Sequence, residues 1–217
     1  FKTPISSISL AAQMLNDPAV SKSQDTIKRL TGVIDDETKR LRFQVEKVLQ
    51  MSMFERQKTN LKQKDLSVNA VVDSVVNTFT IKVERAGGSI EAQLDAEDDI
   101  CLLDEMHFTN VIFNLLDNAY KYAREEVPLQ LKVKTSNPDA KHLEIRVSDN
   151  GIGIQKENLK RIFEKFYRVH TGNRHDVKGF GLGLAYVKQI VDLHKGTIHA
   201  ESEIGKGTKF IIKLPLC

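Results

Sequence analysis

This chain is poor in several things at once, and each shortage closes off a class of function. It has two cysteines in 217 residues, Cys101 and Cys217. Two thiols so far apart imply neither a disulfide framework nor a thiolate metal site, and they favour a reducing compartment. No apolar run approaches the roughly twenty residues that span a bilayer. No signal peptide is visible. The chain opens Phe1-Lys2-Thr3-Pro4 without an initiator Met and reads as a piece of a longer protein, so any membrane anchor is expected in segments outside it. Nor is one sign of charge in excess. The 32 basic and 29 acidic residues are mixed along the chain and leave a net +3. That is a solvated surface, and no nucleic-acid partner is expected from it. What remains, 41% hydrophobic and 28% charged, suits one large domain or two small ones.

The first part has helical periodicity and no strand-like alternation. Ile5, Ile8, Ala12 and Leu15 share one face of a short helix that Asn16-Asp17-Pro18 ends, because a proline biases the residue before it away from helical geometry. A second helix is predicted over about 23–54. Ile27, Ile34, Leu41 and Val48 recur every seven residues, with Leu30, Val45 and Met51 beside them. Such a helix is about 50 Å long. A hairpin of this kind cannot bury both seams alone, so pairing with a second copy into a four-helix bundle is the expected completion. On periodicity alone a coiled-coil spacer without chemistry reads equally well.

The hairpin is assigned to 1–57 and a polar linker to 58–66, where the heptads give way to Lys, Gln, Thr and Asn. A second domain over 67–217 then alternates element types. Val68, Val71, Val72, Val75, Val76 and Phe79 form a helical stripe ending near Gly87-Gly88. Strands are predicted over 89–94, 129–134 and 143–148, the last two joined across the turn-forming Asn137-Pro138-Asp139. Helices are predicted over 104–123 and 181–194. Strands near 197–202 and 208–214 close the chain around Gly205-Lys206-Gly207. The fold class is α+β: a helical hairpin, then an α/β sandwich with helices on one face of a mixed or antiparallel sheet.

Three stretches carry chemistry. Asn110, Asn114 and Asn118 are four apart and Lys121 follows by three, so one helix face presents amides and an ammonium. Amide oxygens suit a hard cation that also binds phosphate. A polar, solvated helix face explains the same pattern. Asp149 ends a strand before Asn150-Gly151-Ile152-Gly153. This is a common turn sequence, but the two glycines allow close approach of a flat ligand edge and the carboxylate can accept from an exocyclic amine. Gly179, Gly181 and Gly183 open a helix, offering backbone N–H groups to phosphates. The polar, aperiodic stretch before them, with Thr171-Gly172-Asn173-Arg174-His175, suggests a lid.

In this order and spacing the chain resembles, over nearly its whole length, the core of bacterial two-component sensor histidine kinases. Residues 114–122 resemble the N box, 149–153 the first glycine box, 162–168 (Ile-Phe-Glu-Lys-Phe-Tyr-Arg) the F box and 179–183 the second glycine box. Gly205-Lys206-Gly207-Thr208-Lys209-Phe210 resembles the closing hairpin. The resemblance implies a Bergerat-type ATP-binding sandwich, with ATP and Mg²⁺ as its ligands. It implies Asn118 on the metal with Asn114 assisting, Lys121 on phosphates, Tyr122 against the nucleotide, and Asp149 accepting from the adenine amine with Thr208 in support through a water. Gly151, Gly153 and Ile154, Tyr167, and Lys178, Gly179, Phe180, Gly181, Leu182 and Gly183 complete the implied ATP site. Arg168 would stabilise the transferring phosphoryl group, and Phe163 and Phe166 would anchor the lid. Phe180 departs from the Thr or Ser common at its position.

The first residues resemble the tail of the H box, His-Glu-x-Lys-Thr-Pro, which puts the phosphoacceptor His two positions before Phe1. None of His107, His142, His170, His175, His194 and His199 has such a setting, and all are expected on the surface or in packing. Thr3 takes the position that in the family helps place water for dephosphorylating the partner, although a capping residue before Pro4 is also sensible there. The implied partners are a second copy of the chain and a response-regulator receiver domain. The implied location is the cytoplasmic side of the bacterial inner membrane, with membrane contact only through segments outside this chain. Two other readings stay open. One is a Hsp90- or MutL-like ATPase, which would carry Glu at position 114 to activate water, where Asn is no general base. The other is a non-catalytic nucleotide-binding scaffold.

Overall fold

The seven-residue seam becomes a helix that starts at a serine. α2 spans Gln24–Arg56, the Ser23 hydroxyl accepts from the Thr26 amide at 3.4 Å, and Asp25 lies in the first turn, where the helix dipole favours an acid. It packs along α1, Lys2–Leu15, to form a hairpin. The computed structural model describes residues 2–16, 23–56, 61–169 and 181–217, in two compact units, Phe1–Thr59 and Asn60–Cys217. The stripe expected on α1 is displaced. Pro4 and Ala11 are buried and Ile8 and Leu15 half-buried, whereas Ile5 and Ala12 are exposed. In a single chain only the side of α1 facing α2 is covered, so the apolar residues divide between that side and an open one. On α2, Leu30 is buried and Ile27, Ile34 and Leu41 half-buried. The side chains of Val48 and Met51 lie outside the described ones.

The second unit runs β1 (Lys64–Ser67), α3 (Val68–Arg85), β2 (Ser89–Leu94), β3 (Ile100–Leu103), α4 (Glu105–Lys121), β4 (Gln130–Asp139), β5 (His142–Asp149), α5 (Gly183–Leu193), β6 (Thr197–Glu203) and β7 (Gly207–Pro215). The five-stranded sheet has the order β2-β4-β5-β7-β6, with β2 parallel to β4 and every other pair antiparallel. Caps fix where the helices begin. Ser67 accepts from the Ala70 amide at 3.1 Å and Asp104 from the His107 amide at 3.1 Å. One sheet face carries Leu131, Val133, Leu143, Ile145, Val147, Phe210, Ile212 and Leu214, all buried with the apolar stripes of α3, α4 and α5. The opposite face is polar and laced by cross-strand ion pairs such as Lys132–Glu91 at 3.0 Å and Lys209–Glu201 at 2.9 Å. This is the expected architecture of a hairpin followed by a mixed sheet with helices on one face.

Two local readings are corrected. Asn137-Pro138-Asp139 is not the turn. It lies within β4, where the register against β5 shifts between Ser136 and Asp139, and the chain reverses at Ala140-Lys141. A proline is tolerated in a strand at such an irregularity. Residues 64–66, read as linker, belong to β1, which pairs antiparallel with β3.

Candidate nucleotide-binding site

Strand parity brings the acid to the interior. Leu143, Ile145 and Val147 point inward, and the same alternation carries Asp149 to the inner face at the end of β5. Two main-chain donors converge on Asp149 Oδ1, from Gly151 at 2.8 Å and Thr208 at 3.2 Å. Among the described residues, Oδ2 takes no hydrogen bond. Burial pushes the carboxyl from its ordinary 3.8 up to about 6, against the pull of the two amides. Beside it, the Ser202 hydroxyl donates to the Gly207 carbonyl at 2.7 Å and accepts from the Ile154 amide at 2.8 Å. The Thr208 hydroxyl is 2.9 Å from Ser202 Oγ. The Ser202 hydrogen is spent on Gly207, so Thr208 donates to Ser202 and keeps its own lone pairs. The corner is thus rich in acceptors, which is what a ligand's amino group needs. Ser202 was not singled out by the sequence; its signal is positional, on the same strand face as Ile198 and Ala200 and opposite Thr208.

The glycines of this corner also serve the protein's own backbone. A Cβ on Gly151 would lie 2.5 Å from the Tyr122 carbonyl oxygen, and one on Gly153, whose φ is +74°, would lie 2.1 Å from the Glu203 carbonyl oxygen. The Tyr122 carbonyl, at the C-terminal cap of α4, also accepts from the Ile152 amide at 3.0 Å. The loop after β5 is therefore clamped between α4 and β6.

The amide face lies at the first turn of α5. Asn114 Nδ2 donates to the Asn110 carbonyl at 2.8 Å, which leaves Oδ1 to point elsewhere. Oδ1 would be 2.9 Å, and Asn118 Nδ2 4.0 Å, from a Cβ built on Gly183. Gly183 thus keeps the space between the two amides and α5 clear of side chain. Among the described residues no side chain caps α5 at Leu182, and its first N–H groups are of the kind that receive an anion. Lys121 is drawn to one side: its ammonium is 2.6 Å from Asp117, which also binds Lys82 at 2.8 Å. Its reach toward the Asn114–Asn118 pair depends on leaving that ion pair.

Of the expected lid residues, Phe163 packs edge-on against Phe210 at 6.4 Å between centroids, as an anchor should. Phe166 is exposed, with a left-handed φ of 65°, and its amide donates to the Gly181 carbonyl at 3.0 Å. Tyr167 is half-buried, donates to Asn158 at 2.6 Å and lies under the Arg161 guanidinium at 4.2 Å. Arg168 is exposed, and Thr3 is exposed in the first turn of α1. Lys178, Gly179 and Phe180, with His170 and 171–175, lie outside the described residues. His107 and His194 are buried, while His142 and His199 are at the surface. His194 Nδ1 donates to the Ile190 carbonyl at 2.7 Å and Nε2 accepts from the Asp104 amide at 2.9 Å, a fully used neutral ring whose pKa burial lowers.

No described helix is long and apolar enough to cross a membrane. The family model for histidine kinase-, DNA gyrase B- and HSP90-like ATPases matches residues 103–217, and the model for the His Kinase A phospho-acceptor domain matches 1–57. The chain is 65% identical over 216 residues to the sensor protein RprX of Bacteroides fragilis, covering all of this chain and 41% of that protein. It therefore spans less than half of that relative. Among solved structures, the mycobacterial sensor histidine kinase MprB matches with a TM-score of 0.60 at 25% identity, over 71% of this chain and 97% of that one. The histidine kinase ThkA, solved in complex with the response regulator TrrA, matches with a TM-score of 0.66 at 22% identity, over 100% of this chain and 58% of that one. With a phospho-acceptor domain and an ATPase domain matched in order along one chain, this protein belongs to the sensor histidine kinase family.

Proposed function

We propose that the chain binds Mg-ATP between the end of β5, the amide face of α4 and the first turn of α5, as the donor half of a phosphotransfer reaction. The observation that carries this is a pairing. A half-buried carboxylate with an open oxygen, Asp149 beside Thr208, occupies one corner, and Asn114 and Asn118 face the start of α5 at another. Asp149 would accept from the adenine amine, and the Thr208 lone pairs would hold a bridging water. Asn118 and Asn114 would hold Mg²⁺ through amide oxygen: the Asn114 NH₂ is already used on Asn110, and Asn118, whose Nδ2 faces Gly183, would turn its amide over to present oxygen. The metal's chemistry there is to offset phosphate charge. The amides of Gly181, Leu182 and Gly183 would receive the phosphates. Tyr122 would lie against the nucleotide, with Gly151, Gly153, Ile154 and Tyr167 shaping the walls. Lys121, exchanging Asp117 for phosphate, and Arg168 would offset charge on the transferring group. Lys178, Gly179 and Phe180 belong to the same proposed set.

In the longer protein the γ-phosphate would pass to the His two positions before Phe1, and then to an aspartate of a response regulator docked on the hairpin. Thr3 would place water for the reverse, phosphatase reaction. Exposed Ile5, Leu10 and Met14 on α1, with Val33 and Val45 on α2, support a homodimer through the hairpin. The parent protein would act at the cytoplasmic face of the bacterial inner membrane. Calorimetry tests the site: the chain should bind ATP in a Mg²⁺-dependent way, and Asp149→Ala should remove the affinity while circular dichroism stays unchanged. Equal affinity in the variant would sink the assignment. Incubated with labelled ATP, the chain by itself should form no acid-labile phosphohistidine.

A further inference from the structure

The face of α4 that ends in the proposed metal ligands has its own tie to α5. Asp104, His107, Asn110, Asn114 and Asn118 follow each other by three or four residues along one side of the helix. The His194 ring meets the Asp104 amide near the start of α4, and Gly183 meets Asn114 further along. Between these two contacts sits Tyr186, one turn beyond Gly183. Its hydroxyl is 3.1 Å from His107 Nδ1 and hydrogen-bonds the Asn110 side chain. The rings of His107 and Tyr186 are 6.4 Å apart and tilted by 55°. Burial pushes the phenol up to about 12, so the hydroxyl keeps its hydrogen. It can accept from the Asn110 amide and donate toward His107, whose Nδ1 and main-chain carbonyl lie 3.1 and 3.5 Å away. Asn110 is also the residue whose carbonyl holds the Asn114 NH₂ and so turns Asn114 Oδ1 toward Gly183.

We propose that Tyr186 is a positioning residue: its hydroxyl cross-links α5 to α4 and sets the distance between the first turn of α5 and the Asn114–Asn118 amides. This rests on the site reading given above. It divides that site into a phosphate and metal half, which the cross-link governs, and an adenine half at Asp149 and Thr208, which it does not touch. Only an effect confined to the first half distinguishes positioning from general support of the fold.

The experiment titrates the whole chain with Mg-ATP and, separately, with adenosine, in the wild type and in Tyr186→Phe. The substitution keeps the ring packing and removes only the hydroxyl. Affinity for Mg-ATP should fall roughly tenfold, the scale of one lost hydrogen bond, while affinity for adenosine stays the same. Asn110→Leu removes the same tie from the α4 side and should show the same split, so the test survives a variant that fails to fold. Unchanged Mg-ATP affinity, or equal weakening for both ligands, overturns the proposal. The site reading fails separately, on the wild type alone, through Mg-ATP binding no more tightly than adenosine.

Discussion

In the ATP-binding unit, α4 hides Phe108, Val111, Ile112, Leu115 and Leu116 completely, whereas in the hairpin α1 leaves Leu10 59% exposed and Ile5 52% exposed. Both helices are amphipathic and of similar length, 17 and 14 residues. What differs is the surroundings. α4 has a sheet beneath it and a helix on either side, so its inner stripe finds partners, while Met106 and Phe113 lie on its outer side. α1 has α2 alone. The atoms that want hydrogen bonds tell the same story: among the described residues, the one buried side-chain polar atom without a partner is Glu37 Oε2, on α2. One unit is complete as a single chain. The other leaves an apolar face open.

The largest effect expected from that contrast is a core truncation. Leu116→Ala removes a fully buried side chain from α4 and should cost about 3 kcal/mol, the transfer term plus an unfilled cavity. For a unit of this size the unfolding midpoint should drop by roughly 6–12 °C. The hairpin transition should not move. A loss below about 1 kcal/mol would mean that this core is looser than its burial implies.

Next in size is a pH effect located at one carboxyl. Asp149 titrates near 6 when folded against an ordinary 3.8. Between those values the folded state holds the proton more tightly than the unfolded one, so stability falls as pH rises from about 4 to about 6. At neutral pH the charged, desolvated carboxylate costs the unliganded unit up to about 3 kcal/mol. Asp149→Asn should therefore stabilise the unit by about 1–3 kcal/mol at pH 7 and hardly at all at pH 4. Denaturant melts at both values check this. Nucleotide binding should run the other way, weakening as pH falls through about 6 in the wild type because an amine donor prefers the charged acceptor. Destabilisation by Asn at pH 7 would show instead that Asp149 holds the fold together.

The same contrast explains which features could be read in advance. Leu143, Ile145 and Val147 announce β5 because apolar and polar types alternate, even though Glu144 between them is also buried, and their parity already assigns Asp149 to the inner face. β3 hides because Ile100, Cys101, Leu102 and Leu103 are all apolar while their burial alternates. β1 hides because Lys64 and Asp65 look like linker, and only pairing with β3 makes them a strand. In the proposed site, the common face of Asn114 and Asn118 was legible from spacing along one helix. Ser202 was not, since its role depends on the register of β6 against β7. For Gly151 and Gly153 a sequence shows that a Cβ is missing, but not that the Tyr122 and Glu203 carbonyls occupy the space. The face of α1 shifted because a stripe shared between two partners cannot be divided by periodicity alone.

The smallest effect bears most directly on the comparison. A unit that folds within one chain has an unfolding midpoint independent of protein concentration, whereas one completed by a second copy gains stability by mass action. The hairpin transition should therefore rise with concentration by about 1.4 kcal/mol per tenfold at most, while the ATP-binding transition stays fixed. Leu10→Glu places a charge on the open face of α1. It should abolish that dependence and yield monomers in sedimentation, yet leave Mg-ATP affinity unchanged because Leu10 belongs to the other unit. A hairpin that melts at the same temperature at every concentration would mean that its exposed face is not completed by a second copy. A shift of both transitions together would mean that the two units fold as one, and the contrast between a self-sufficient domain and a shared one would have to be given up.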